Sequence, residues 1–399
     1  MNDASRDFPL DTQEEPRVRY DALDSLRGIA ALGVALHHLQ VASHIYFFPT
    51  TRNAYLFVEF FFVLSGFVIA HAYADRLNGG AASLRFMIKR FGRVWPLHVV
   101  MLLCFIAAET ALYLGSQYAH MPLPRPPFSE DRTLLGIPIN LVMLNGLIPY
   151  IGAGWNAPSW SVSVELAAYL LFALSAMIPG RSARIVFHAA LIVVALCMLC
   201  VVHKVIGIER CVFSFFIGTF VWRFRAARVG RIGTAAELVA VGCAIAILLP
   251  SMPRVQFVVA PLVFAGVIFV LSRQAGKVSA VLRAPFALRL GLTSYSIYMV
   301  HFFIAFAVTN VIKVGGRIGH QAWVLPGTDL ALIGNSGLLM DAITIAYLAV
   351  VILVAKFTYR YIERPGIAWF GRLADTVLRV RSASTRVGKH CEVKVIDVA

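Results

Sequence analysis

Ten separate runs of this chain are apolar over most or all of the length needed to cross a bilayer, and no water-soluble core absorbs that many. They are residues 28–46, 55–73, 94–114, 160–178, 185–203, 211–222, 235–249, 255–271, 290–312 and 337–354, set against about 20 residues per helical crossing. Lipid offers the backbone no hydrogen-bond partners, so each run must satisfy its own N–H and C=O groups. The expected fold class is therefore all-α: a polytopic membrane protein of about ten transmembrane helices. Residues 134–148 are also apolar but are interrupted by Pro138, Asn140 and Asn145, which predicts a re-entrant or interfacial segment instead of a span. Composition agrees, with 59% apolar and 14% charged residues against about 45–50% and 25% in soluble domains.

The formal charge of +15 raises nucleic acid as a partner, and its distribution dismisses it. With ten spans, most of the 36 Lys and Arg residues fall on the side that carries both termini. That asymmetry predicts cytoplasmic termini and reads as a topology signal, with no nucleic-acid partner expected. An eleventh span would put the basic C-terminal segment outside. The polar first twenty residues and the lack of a small-residue cleavage site predict no signal peptide. The expected division is a cytoplasmic tail (1–19), a transmembrane domain (20–366) and a basic cytoplasmic tail (367–399), the last disordered or lying on anionic lipid. The six cysteines are scattered and predict no disulfide framework. Cys197 and Cys200 form a C-x-x-C inside an apolar run, where buried packing is the expectation.

Within the first run an arginine and a histidine stand eleven residues apart, Arg27 and His38. At about 100° per residue this is three turns plus roughly 20°, so both lie on one helical face, roughly 16 Å apart along the axis. Ionisable groups at such depth cost several kcal/mol and ordinarily line a cavity that does chemistry or transport. Further polar residues follow at membrane ends. Glu59 lies near the outer end of the second run, and Ser65-Gly66 permits close approach of a backbone or a slender ligand, helix packing being the plainer reading. Arg90 and Arg93, with Lys89 beside them, are expected in a cytoplasmic loop at the start of the third helix. Their forks suit phosphate oxygens, although topology alone would also place them there. The long loop 115–159 is expected to cap the site. After it, Ser161 and Glu165 share a face, the carboxylate suiting acid–base work or the orientation of an imidazole. The four apolar runs between residues 185 and 271 carry almost nothing ionisable and read as scaffold. Tyr298 and His301 share a face in the ninth run, and Pro365 is expected to end the last helix, capped by Glu363 and Arg364.

These residues fall into motifs: L-D-S-L-R-G-I-A-A with its R-x10-H spacing, F-F-V-L-S-G-F, K-R-x-x-R-x-x-P, W-S-V-S-V-E, S-Y-S-I-Y-M-V-H and I-E-R-P. In that order, from about Tyr20 to Pro365, the chain resembles the acyltransferase 3 family of integral membrane O-acyltransferases. Glu59 stands where an Asp is usual in that family, Leu166 where a second acidic residue is common, and Lys89 where an arginine is. The resemblance implies an enzyme that transfers an acyl group, commonly acetyl from acetyl-CoA, to a hydroxyl of a glycan or other small acceptor. It also implies residence in a membrane among lipids, here expected to be a bacterial inner membrane. Its phosphate-bearing donor, acyl-CoA, would be held by Arg27, Arg90 and Arg93 with Ser65 lining the acyl channel. His38 would then be general base or acyl carrier, Glu165 or Glu59 would orient it, and Tyr298 would donate to the oxyanion. No metal is expected. The rival reading is a transporter or flippase for a lipid-linked glycan or other anionic cargo. The absence of paired halves, and the crowding of polar residues into the first four helices, favour the enzyme.

Overall fold

The structure, a computed structural model, describes residues 19–118, 123, 125–148, 154–201, 207–225, 232–334 and 336–377. A helix lies over each of the ten apolar runs. These are α1 (Asp21–His38), α2 (Phe57–Tyr73), α3 (Gly79–Tyr118), α4 (Ser159–Ser175), α5 (Arg181–Val201), α6 (Gly207–Phe224), α7 (Thr234–Ala246), α8 (Pro253–Leu271), α9 (Ser294–Ile318) and α10 (Gly337–Thr358). Among the described residues there is no strand, only isolated bridges of Ala331 to Val41 and Val324.

Six helices are long and apolar enough to cross a membrane: Ala54–Tyr73, Gly79–Tyr118, Arg181–Val201, Arg254–Leu271, Ser294–Ile318 and Gly337–Val377. The other four fall short for identifiable reasons. Helix α1 carries Asp21, Asp24 and Arg27, and α6 carries Glu209, Arg210 and Arg223. Helices α4 and α7 are 17 and 13 residues long.

Close backbone approach sets the helix pairing. A Cβ on Gly66 of α2 would sit 1.8 Å from the Phe215 carbonyl oxygen of α6, and one on Gly218 would sit 2.0 Å from that of Val63. Small residues are what permit such a crossing in lipid, where dispersion and not hydrophobic exclusion holds helices together. The same device seats α1 on the short helix Pro285–Leu292: Gly28 abuts Leu290, and Gly291 abuts Asp24. That contact brings the first turns of α1 and α9 side by side.

Two sequence expectations are corrected. The stretch 86–98 is helix, not loop, because its good helix formers propagate α3 back to Gly79 and Pro96 is accommodated inside it. Membrane helices tolerate such a proline because neighbours satisfy the freed carbonyl. Nor does Pro365 end the last helix. A π turn at Tyr359–Glu363 precedes it, and residues 364–377 continue as helix; π turns occur as local widenings within otherwise continuous α-helices. This extension docks on α3, where Phe370 meets Phe91 and Trp95 and Arg85 donates to Asp375 at 2.6 and 2.9 Å. The expected tails at 1–18 and 378–399 lie outside the described residues.

The interrupted segment 134–148 contains a short helix, Gly136–Leu141, seated between α3 and α4. Trp95 Nε1 donates to the Leu141 carbonyl at 3.0 Å, His98 Nε2 to that of Asn140 at 2.7 Å, and Ser163 Oγ to that of Met143 at 2.6 Å. Side chains thus take up carbonyls that no regular helix satisfies. Cys197 and Cys200 are exposed on α5, contrary to the packing role expected, because much of that helix faces outward from the bundle.

Candidate active site

Arg27 sits on the second turn of α1. Its Nε donates to Ser294 Oγ at 2.7 Å and an Nη to the Gly291 carbonyl at 3.2 Å, with Asp24 at 3.8 Å. The guanidinium is thereby fixed by two atoms of the α9 side, while part of its fork lines a slender cavity of about 120 Å³. Of the residues that sequence reasoning singled out, Ser65, Arg90, Arg93, Glu165 and Tyr298 line the same cavity. They come from α2, α3, α4 and α9.

Each is held by a nameable contact. Tyr169 donates to Glu165 Oε1 at 2.6 Å, and Ser65 then donates to the Tyr169 hydroxyl at 2.9 Å. Tyr169 is the helical i+4 neighbour of Glu165, so this pair was readable from spacing. The Arg90 guanidinium lies over the rings of Tyr73, Phe86 and Tyr169 at 5.4–5.8 Å, a cation–π cradle that leaves its N–H groups for an anion. Arg93 has no hydrogen-bonded or ion-paired partner among the described residues. Glu363 is buried and accepts from Ser296 Oγ at 2.7 Å, instead of capping a helix end. The cavity is closed at its inner end, where the Tyr298 hydroxyl meets Ser161 Oγ at 2.7 Å and the Pro158 carbonyl at 3.1 Å.

His38 is not on the cavity wall. It lies behind Tyr298, with His301 between: the Tyr298 and His301 rings are 5.7 Å apart and those of His301 and His38 5.1 Å. The imidazole partner is therefore His301, and neither Glu165 nor Glu59 reaches it. Hydrogen bonding fixes both tautomers. His301 Nδ1 is 3.2 Å from the Ile297 carbonyl and His38 Nδ1 is 3.0 Å from that of Val34; carbonyl oxygens only accept, so both Nδ1 atoms carry the proton. The His38 Nδ1–H is then shared with the unprotonated Nε2 of His301 at 3.3 Å. This leaves the His38 Nε2 lone pair without a partner among the described residues.

Tyr347 braces the pair, donating to the Ala35 and His301 carbonyls at 3.1 Å each. It is the eleventh residue of the 22-residue α10, which puts the two histidines level with the middle of a helix roughly 33 Å long.

Glu59 does not line the arginine-lined cavity. It is fully buried and accepts from Arg210 Nε at 2.6 Å, and Arg210 in turn covers Trp160 and Phe257. An unpaired carboxylate there would be costly, and a cation 151 residues away in sequence supplies the partner. No local pattern signals that pairing. Among the described residues no group of three or more His, Cys, Asp or Glu is placed to hold a metal ion.

A family model described as an acyltransferase domain matches residues 20–360. An acyltransferase, MdmB, of Streptomyces mycarofaciens is 26% identical over 406 aligned positions, covering 90% of this chain and 94% of its own length. The protein called protein 2 in the picA locus of Rhizobium radiobacter is 31% identical over 171, covering 40% of this chain and 84% of its own. No solved structure matches.

Proposed function

The chain belongs to this family of membrane acyltransferases, and from that premise we propose that it moves an acyl group, acetyl from acetyl-CoA, to a hydroxyl of a glycan or related acceptor. In this reading all ten helices cross a bacterial inner membrane and both termini face the cytoplasm. The observation that carries the proposal is the stacking of one arginine-lined cavity on a tautomer-fixed histidine pair. Arg27, Arg90 and Arg93 line the outer part of the cavity, where forked donors suit the phosphates of CoA. The narrow space beyond suits a pantetheine arm, with Ser65 on its wall.

At the inner end His38 Nε2 takes the proton of the acceptor hydroxyl. The hydroxyl oxygen bonds to the thioester carbonyl carbon, the C–S bond breaks, and the imidazolium returns its proton to the leaving thiolate. Tyr298 stands between the cavity and the histidines. Turning its hydroxyl away from Ser161 both opens the path and frees a donor for the developing oxyanion. Glu165, tied to Tyr169, offsets part of the positive charge of the arginines.

The test is purified protein with radiolabelled acetyl-CoA and a panel of glycan acceptors, wild type against His38→Ala. Label transfer that the substitution abolishes supports the reading. Undiminished transfer removes His38 as base, and acceptor movement across a vesicle membrane without any acyl transfer would favour a transporter.

A further inference from the structure

A second cavity, of about 500 Å³, opens beside the first turns of α9 and is lined by Arg289, Thr293, Lys356, Tyr359, Arg360 and Arg364. Four cations share it with no carboxylate, and among the described residues none of the four is ion-paired. Thr293 lies on its wall while Ser294, the next residue, lies on the wall of the arginine-lined cavity. The two spaces therefore flank one turn of chain at the same end of the bundle.

The π turn accounts for the arrangement. In uninterrupted α-helix Arg364 would stand about 80° round from Lys356. The five residues Tyr359–Glu363 turn by about 82° each in place of about 100°, which takes back roughly 90°. Lys356, Arg360 and Arg364 therefore fall in one column facing Arg289 across the cleft. The same turn leaves Glu363 buried on Ser296, so the only carboxylate of this segment is kept out of the cleft. Beside the column, Leu353, Phe357 and Leu292 are exposed apolar side chains, Leu353 and Phe357 being one turn apart on α10.

We propose that this cleft is a binding site for the phosphate headgroup of an anionic phospholipid, whose acyl chains lie along the apolar face of α10. The shared chemistry is a phosphate group, which a lipid or a soluble CoA could supply. The adjoining apolar strip and the position at a membrane-facing helix favour the lipid, since basic pockets between membrane helices hold acidic headgroups. The site is independent of the transfer reaction, so neither reading stands or falls with the other.

The test uses the full chain in zwitterionic detergent, with retention of cardiolipin and phosphatidylglycerol followed by native mass spectrometry and thermal unfolding. Phosphatidylcholine, inorganic phosphate and CoA serve as competitors. At about one kcal/mol per cation near a headgroup, the variant Lys356→Gln/Arg360→Gln/Arg364→Gln should bind the anionic lipids roughly one hundred-fold more weakly. Lys313→Gln/Arg317→Gln, at the far end of α9, should bind as the wild type does. Should the triple variant not fold, Arg289→Gln, on a different helix, reads the same cleft and should weaken retention several-fold. Retention unchanged in the cleft variants, or anionic lipid displaced by CoA or inorganic phosphate at equal concentration, overturns the proposal.

Discussion

Replacing His301 by phenylalanine separates a residue that performs the transfer from one that positions it. Phenylalanine keeps most of the ring volume, so the packing against Tyr298 and Phe302 survives, but the acceptor for the His38 Nδ1–H is gone. A net neutral hydrogen bond is worth about 0.5–1.5 kcal/mol, and the Val34 carbonyl at 3.0 Å still holds the same proton. The tautomer is weakened but not lost, so the expected fall in kcat is about 2–12-fold at about 1.4 kcal/mol per decade. Loss of a general base costs about 10²–10⁴-fold, which His38→Ala should show. The assay is steady-state transfer with kcat and KM for acetyl-CoA determined separately. His301→Phe should leave KM unchanged, because Arg27, Arg90 and Arg93 are untouched, and His301→Gln, which restores an acceptor, should recover part of kcat. A His301→Phe enzyme as inactive as His38→Ala would make His301 a participant in proton transfer. A normal kcat would show that the 3.3 Å contact orients nothing.

Arg27→Lys keeps the charge but loses the bond to Ser294 and the fork; at about 1.5–3 kcal/mol for charge-assisted bonds, KM for acetyl-CoA should rise by about 10–150-fold with kcat within several-fold of normal, read by donor titration. Glu59→Ala strands Arg210 in the bundle and should cost about 3–5 kcal/mol, seen as a lowered thermal midpoint in detergent. The apolar pair Glu59→Leu/Arg210→Met should recover most of it, and failure to recover would mean that the ion pair has a role beyond pairing. Gly66→Ala would drive a methyl into the Phe215 carbonyl and should destabilise by about 1–3 kcal/mol or more. Gly242→Ala, with no neighbouring atom within 4 Å, should cost nothing by the same measurement.

The long helices were legible because lipid makes the rule local: each run of apolar residues must close its own hydrogen bonds, and a helix lies over each run, six of them long and apolar enough to cross a membrane. So was the register of Arg27, Arg90, Arg93 and Glu165, since a 3.6-residue period needs no knowledge of partners. What escaped were contacts whose reasons lie elsewhere in the chain. Glu59 looked like a catalytic carboxylate because nothing near it in sequence neutralises it, yet Arg210 does so from α6. His38 looked as if it should face the arginines directly, because both lie on one side of α1. Three turns carry it past Tyr298, and only the parallel run of α9, set by the approach of Gly28 to Leu290, delivers His301 to it. Pro365 read as a terminator because the sequence carries no sign of the π turn before it. The same argument separates the two kinds of polar residue in this fold. Those whose partners are one helical turn away, such as Glu165 with Tyr169, belong to surfaces a single helix can present. Those whose partners lie hundreds of residues away, such as His38 with His301, exist only once the bundle has closed. A substitution that loosens the α1–α9 contact should therefore abolish transfer and release Arg27 from Ser294, while leaving Arg90 and Arg93, both carried by α3, in place on the cavity wall.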